Sequence, residues 1–435
     1  MQRNLMQDLL VWKNDPRRKP LILQGARQVG KTWLLKEFGS REFSDLAYVR
    51  LEDNAAMQSL FDGSLDPQRL ITGLSAYLKR PITNDSLIVL DEVQAVPRAL
   101  TALKYFCEEM PSQAIAVAGS LLGVALHSGV SFPVGKVDFL ELFPMTFEEF
   151  LLALGHSDLT SFIRSMDFEM IAVFAEQLTD LLKRYYYIGG MPEAVLEYSQ
   201  TNDFIRVRKI QHSILNTYAG DFSKHASKDA TEKCRQVWQS VPRQLAKENR
   251  KFVYGTVKQG ARGRDYEAAL QFLSDNGLVH RVWRVAKPGI PLEFYKNADA
   301  FKLYLNDIGL LGAMTDLDAS SIIDGNRMFE EFKGVYAEQF VCQELTAECG
   351  YHLYYWSAEK SSGEIDFLLQ SQGNVYPIEV KASENLRSKS LASFCQKYDL
   401  QTGIRLSLSG YRDEGWMRNI PLYATGGLSG LNPKS

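Results

Sequence analysis

The chain has 435 residues, 45% of them hydrophobic, and a net charge of −3, an ordinary balance for a folded protein long enough to bury two or three cores. So small a charge excludes a general attraction to nucleic acid or anionic membrane, and any such binding has to come from local patches. Five scattered cysteines, Cys107, Cys234, Cys342, Cys349 and Cys395, form no C-x-x-C pair, which fits reduced thiols rather than a zinc ribbon.

The stretch from Met1 to Trp12 breaks its apolar residues with charge and amide, and no apolar run is long enough to span a bilayer. The expectation is a cytoplasmic protein with no membrane partner. The apolar run Leu21-Ile22-Leu23 then leads into Gly25-Ala26-Arg27-Gln28-Val29-Gly30-Lys31-Thr32, followed by a helical pattern from Trp33 to Phe38. This strand, glycine-rich loop and helix predict a phosphate-binding loop. Glycines let successive N–H groups face a phosphate, Lys31 neutralises its charge, and the Thr32 hydroxyl can ligate Mg²⁺. ATP and Mg²⁺ are the expected cofactors.

A second aliphatic run, Leu87 to Leu90, ends in Asp91-Glu92. Asp91 is placed to hold the Mg²⁺ shell opposite Thr32, and Glu92 to polarise the attacking water. A third, Ile115 to Ala118, runs into Gly119-Ser120. Ser120 either senses the terminal phosphate or caps a helix over Leu121 to Leu126, and the residues leave both readings open.

The phosphate loop, Leu90-Asp91-Glu92-Val93-Gln94, Ala118-Gly119-Ser120 and Phe143-Pro144-Met145-Thr146-Phe147-Glu148-Glu149-Phe150 together resemble the prokaryotic AAA+ ATPases that carry a C-terminal DUF4143 region. The resemblance runs from Trp12 to about Tyr423. It implies an α/β fold: a P-loop AAA+ parallel-sheet domain over 1–150, a helical lid over 151–200, a winged-helix region over 201–320 and a nuclease-like α/β domain over 321–435. Many relatives carry arginine where this chain has Lys136, and lysine cannot make a planar two-pronged contact. An arginine finger therefore stays unassigned, as does assembly into a homo-oligomer. Tyr185-Tyr186-Tyr187-Ile188-Gly189-Gly190-Met191-Pro192-Glu193 also resembles the family, and its glycines and proline read best as punctuation between two helices.

From Gln236 to Lys287 the pattern is helix, short turn, helix, then strands, over Val241–Leu245, Lys251–Val257, Asp265–Asp275 and Gly277–Val285, which suggests a winged helix-turn-helix. Between Arg243 and Lys287 there are ten Lys or Arg against four acids, so DNA is the expected partner, with Lys258, Arg262 and Arg264 as phosphate contacts. The alternation Phe301, Leu303, Leu305 then predicts a strand, in a segment to Leu311 that is similar to a hallmark of the DUF4143 family, with a turn or helix from Gly309.

Near the C-terminus, Gly363–Leu369 and Val375–Lys381 read as a hairpin. Glu379 and Lys381 are two apart and so share a face. The set Glu338, Asp366, Glu379 and Lys381 resembles the PD-(D/E)xK nuclease fold. That resemblance implies Mg²⁺ held by Asp366, Glu379 and Glu338, with Lys381 acting on the attacking water. Two readings follow. In one, an ATPase drives a nuclease-like domain on DNA, with Glu92, Asp366, Glu379 and Lys381 catalytic. In the other, a nucleotide switch controls a DNA- or protein-binding domain that does not cut.

Overall fold

The computed structural model describes residues 1–119, 133–222, 228–323, 327–358, 363–382 and 388–431. Two compact units emerge, one of Arg3–Phe143 with Gln271–Leu278, the other of Met1–Gln2, Pro144–Leu270 and Val279–Ser435.

The first unit holds β1 (Leu21–Gln24), β2 (Asp45–Arg50), β3 (Ser86–Asp91), β4 (Ala114–Ala118) and β5 (Asp138–Glu141). They form a five-stranded sheet in the order β2-β3-β4-β1-β5, and every pairing is parallel. Parallel pairing requires crossovers, which cover the sheet and explain the unbroken aliphatic runs of β3 and β4, buried along their whole length. Ile22, Ile88, Leu90 and Val117 of the strands pack with Leu70 and Leu74 of helix Pro67–Leu78 and with Leu103 and Phe106 of helix Arg98–Glu109. Because all five strands run the same way, the loop after β1 and the acidic end of β3 lie at one edge of the sheet, where open α/β sheets bind ligands.

The second unit opens with helices. Thr146 caps helix Phe147–Ala153 in a reciprocal capping box with Glu149. Gly190 packs so closely on this segment that a Cβ there would stand 1.9 Å from the Met145 carbonyl oxygen. Gly189, at φ +70, ends helix Ala175–Ile188, and Pro192 opens helix Pro192–Thr201. This turn is built into the unit's interior, where the Gly190 N–H donates to Asp307 Oδ2 at 2.6 Å.

Eight strands make the second sheet: β6 (Val279–Val285), β7 (Lys296–Leu305), β8 (Tyr354–Ser357), β9 (Glu364–Ser371), β10 (Asn374–Lys381), β11 (Gly403–Ser407), β12 (Arg412–Asp413) and β13 (Met417–Pro421). The order is β12-β13-β11-β10-β9-β8-β6-β7, with β10 parallel to β11 and β9 antiparallel to β10. The expected hairpin is thus present, joined more tightly than its sequence suggested. Only Gln372 and Gly373 connect it, both at positive φ, as two-residue hairpin turns favour.

The division at 320/321 falls inside this sheet, because β6 pairs with β8 and carries β7 with it; the strands assigned to a separate middle region are hydrogen-bonded to the C-terminal ones. In the stretch expected as a short turn, Lys251 bridges to Lys302 in strand fashion and Tyr254–Val257 is helical, ahead of helix Gly263–Asp275. β7 ends the sheet, yet its last six residues are buried. Helix Arg327–Ala347 covers it: Gln339 accepts the Leu305 N–H at 3.0 Å and donates to the Leu305 carbonyl at 2.7 Å, while Gln343 accepts the Ile308 N–H at 3.0 Å. Side-chain amides therefore satisfy an edge that would otherwise attract another strand.

Candidate functional site

The phosphate loop sits between β1 and helix Lys31–Glu42. Gly25 has φ +138, and a Cβ on it would stand 2.1 Å from the Leu142 carbonyl oxygen, so the first glycine is demanded by both conformation and space. Gln28 and Gly30 also adopt positive φ, at 66° and 98°, which curls the loop over the helix N-terminus and leaves Ala26 and Val29 buried beneath it. Lys31 is 8% exposed. Its Nζ donates to the Gly25 and Ala26 carbonyls at 2.8 and 2.7 Å. Burial pulls its pKa down to about 8, against the opposing attraction of Glu92 and Asp91.

The acidic end of β3 meets this loop across the intervening β4. Thr32 Oγ1 donates to Asp91 Oδ2 at 2.7 Å, and the Glu92 N–H donates to Asp91 Oδ1 at 3.0 Å. A hydroxyl and a carboxylate held this close, both with lone pairs to spare, fit the hard-oxygen preference of Mg²⁺. Glu92 lies in the left-handed region, φ 54 and ψ 47, a cost that non-glycine residues carry at few positions. The Gln94 side-chain amide donates to its carboxylate. Lys136 forms a pair with Glu108 at 3.1 Å. Ser120 lies outside the described residues.

Two residues here escaped the sequence reading. Tyr48, on β2, donates its hydroxyl to Asp91 Oδ2 at 2.9 Å, and burial followed by the Asp91 charge drives its pKa up. Arg3 is buried and ties the loop down, donating to the Val29 carbonyl at 2.7 Å and the Phe143 carbonyl at 2.6 Å. Neither belongs to a local pattern, since each acts over tens of residues of chain.

In the second unit, Glu338, Glu364, Asp366, Glu379 and Lys381 line one cleft of about 570 Å³. Backbone pairing of β9 with β10 ends at Phe367–Ile378, and beyond it the Asp366 carboxylate takes the Val380 N–H at 2.8 Å in place of a ladder bond. Lys381 Nζ lies 2.9 Å from Glu379 Oε1, as their shared face implies. Glu379 Oε2 is buried and, among the described residues, accepts no hydrogen bond. Burial, and then the Glu338 charge, hold Asp366 well above the usual carboxylate range.

The structure gives Glu338 partners other than an ion. Arg250 Nη1 lies 2.5 Å from its Oε1, Lys302 Nζ 3.6 Å from its Oε2, and the Tyr304 hydroxyl donates to it at 3.0 Å. Lys302 also lies 2.5 Å from Glu364 Oε1. Burial works against the Lys302 charge, but Glu338, Glu364 and Asp366 outweigh it and raise its pKa. Among the described residues no group of three or more His, Cys, Asp or Glu side chains is arranged to hold an ion. Of the expected trio, Glu338 is thus engaged by Arg250, Lys302 and Tyr304, while Asp366 and Glu379 line the cleft; Mg²⁺ commonly takes one or two carboxylates. Arg250 and Lys302 were missed because the pattern around each reads as solvated charge.

The basic excess of the middle region is partly spent inside the fold. Arg250 serves Glu338, Arg281 pairs with Glu267 at 2.7 Å, and Arg284 donates to the Ser357 carbonyl. Lys258, Arg262 and Arg264 are exposed.

Comparison with known families covers most of the chain. A family described as an AAA domain matches residues 17–151, a domain of unknown function (DUF8612) matches 179–321, and a domain of unknown function (DUF4143) matches 333–423. This chain is an AAA-domain protein with a C-terminal DUF4143 region. The segment from Phe301 to Leu311 falls in the DUF8612 match rather than in DUF4143, which corrects its sequence-based assignment. No curated protein matches the AAA–DUF4143 chain. Among solved structures it is similar to a Walker-type ATPase of Pyrococcus abyssi, at 15% identity over 72% of this chain and 95% of that one, with a TM-score of 0.42. It is also similar to the Orc1 protein of Aeropyrum pernix in complex with DNA (15% identity, 72% and 91% covered, TM-score 0.27) and to RuvB of Thermotoga maritima (14%, 65% and 90%, TM-score 0.29). Among the described residues no helix is long and apolar enough to cross a membrane.

Proposed function

We propose that the AAA domain binds ATP with Mg²⁺ and hydrolyses it, and that this turnover is coupled to a nuclease-like C-terminal region acting on DNA. The observation that carries the first half is the 2.7 Å hydrogen bond from Thr32 to Asp91 beside the buried Lys31. The loop from Gly25 to Thr32 would wrap the phosphates with its N–H groups, and Lys31 would leave its carbonyl partners for them. Thr32 and Asp91 would hold Mg²⁺, which neutralises charge on the phosphate oxygens. Glu92 would orient water and accept its proton, its carboxylate positioned by Gln94.

For the second half, helices Lys228–Leu245, Tyr254–Val257 and Gly263–Asp275 followed by the β6–β7 hairpin support a winged-helix reading of 201–320. Exposed Lys258, Arg262 and Arg264 would contact DNA phosphates. Asp366, Glu379 and Lys381, brought to one cleft, support a nuclease-like reading of 321–435, with Lys381 placed to act on water. A second reading is favoured by the pairing of Glu338 with Arg250 and Lys302: the cleft binds nucleic acid without cutting.

Titration with a fluorescent ATP analogue tests the first half. The wild type should bind and Lys31→Ala should not; equal binding by the two would sink the assignment. Incubation of the wild type and Asp366→Asn with ATP, Mn²⁺ and single- or double-stranded DNA tests the second. Cleavage by the wild type alone supports the nuclease. DNA binding without cleavage supports the second reading.

A further inference from the structure

The cleft between helix Arg327–Ala347 and the β9–β10 hairpin contains more charge than ion binding needs. Arg250, Glu338, Lys302 and Glu364 form a continuous chain of pairs, at 2.5, 3.6 and 2.5 Å in turn. Two cations therefore answer two carboxylates without any external ion. Lys302 is fully buried in β7, and its Nζ also lies over the Tyr355 ring, 5.1 Å from the centroid. An ammonium in that position repels a second cation brought to Glu338. Expelling it would leave the buried Glu338 to Arg250 alone and take from Glu364 its ammonium partner, which is costly for carboxylates drawn away from water.

The other side of the cleft is different. Glu379 is 4% exposed, and among the described residues its Oε2 accepts no hydrogen bond. Asp366 lines the same cleft, bound to the Val380 N–H through one oxygen. A buried carboxylate oxygen without a donor costs free energy, and a divalent cation shared with a neighbouring carboxylate removes that cost.

We propose that Lys302 is a tethered cation that takes the place of one metal ion in this cleft, so that Asp366 and Glu379 hold a single divalent cation and Glu338 holds none. The proposal rests on the reading of the cleft as a metal site and adds its stoichiometry and the residue that sets it. Lys302 lies in the DUF8612 match and its carboxylate partners in the DUF4143 match; the cleft is thus built jointly by the two regions.

The test is a Mn²⁺ titration of the nucleotide-free full chain, with free Mn²⁺ followed by electron paramagnetic resonance and every variant checked for folding by circular dichroism. Counting ions lost on mutation keeps Mn²⁺ at the phosphate loop out of the result. Asp366→Asn and Glu379→Gln should each lose one ion, and Glu338→Gln should lose none. Lys302→Met should gain a further ion or bind the first about tenfold more tightly. If Lys302→Met does not fold, Lys302→Met with Glu364→Gln removes one charge of each sign and should show the same gain. Loss of an ion in Glu338→Gln, loss of two in Glu379→Gln, or unchanged binding in the folded Lys302 variants would overturn the role of Lys302 while leaving the metal site standing. No loss in either Asp366→Asn or Glu379→Gln would instead remove the metal site itself, and the proposal with it.

Discussion

Asp307 is buried at the start of helix Ile308–Met314, where it accepts the Leu310 N–H at 2.9 Å and the Gly190 N–H at 2.6 Å. Burial raises its pKa from 3.8 to about 6, although those N–H donors pull the other way. The sign follows directly. Between pH 6 and 3.8 the folded chain takes up a proton that the unfolded chain does not, so Asp307 makes folding stronger as pH falls through that window and weaker as it rises. At about 1.4 kcal/mol per pKa unit, the full window is worth roughly 3 kcal/mol, and about 2 kcal/mol by pH 4.5. Asp307→Asn removes the titration. Urea unfolding of both chains at pH 7 and pH 4.5 isolates the residue, because other titrating groups are common to both and cancel in the difference. The stability of the wild type relative to Asp307→Asn should rise by about 2 kcal/mol on going to pH 4.5. A difference that stays constant, or moves the other way, refutes the assignment of a destabilised buried carboxylate.

Other outcomes follow from the phosphate loop. Gly25→Ala sets a methyl group 2.1 Å from the Leu142 carbonyl oxygen and should abolish ATP binding in an analogue titration even if the fold survives in circular dichroism. Arg3→Ala removes donors from the Val29 and Phe143 carbonyls and should weaken ATP binding by about tenfold, in line with 1–3 kcal/mol for buried groups left unsatisfied. Tyr48→Phe removes one of two hydroxyls on Asp91 Oδ2. It should shift the Mg²⁺ concentration needed for half-maximal ATP hydrolysis while leaving nucleotide affinity without metal unchanged.

The phosphate loop was legible because its chemistry is contiguous: eight successive residues carry the turn, the charge and the hydroxyl. Asp91 and Glu92 were legible for the same reason, ending an aliphatic strand. Arg3 and Tyr48 were not, because they act through contacts 26 and 43 residues distant in sequence, which no local periodicity encodes. The alternation Phe301, Leu303, Leu305 puts Lys302 on the strand face opposite these apolar residues. Helix Arg327–Ala347 then covered that face and brought Glu338 against it. The hairpin could be read, but the membership of β6 and β7 in the same sheet could not, since it depends on the β6–β8 pairing across about 70 residues.

The most direct measurement is steady-state phosphate release from ATP by the wild type and by Glu92→Gln, with binding of an ATP analogue measured alongside. The account predicts Mg²⁺-dependent hydrolysis by the wild type. Glu92→Gln should retain analogue binding and lose at least about a hundredfold in turnover, the scale of a positioned general base. Equal turnover by both chains, or no turnover by a wild type that binds ATP and Mg²⁺, would contradict it.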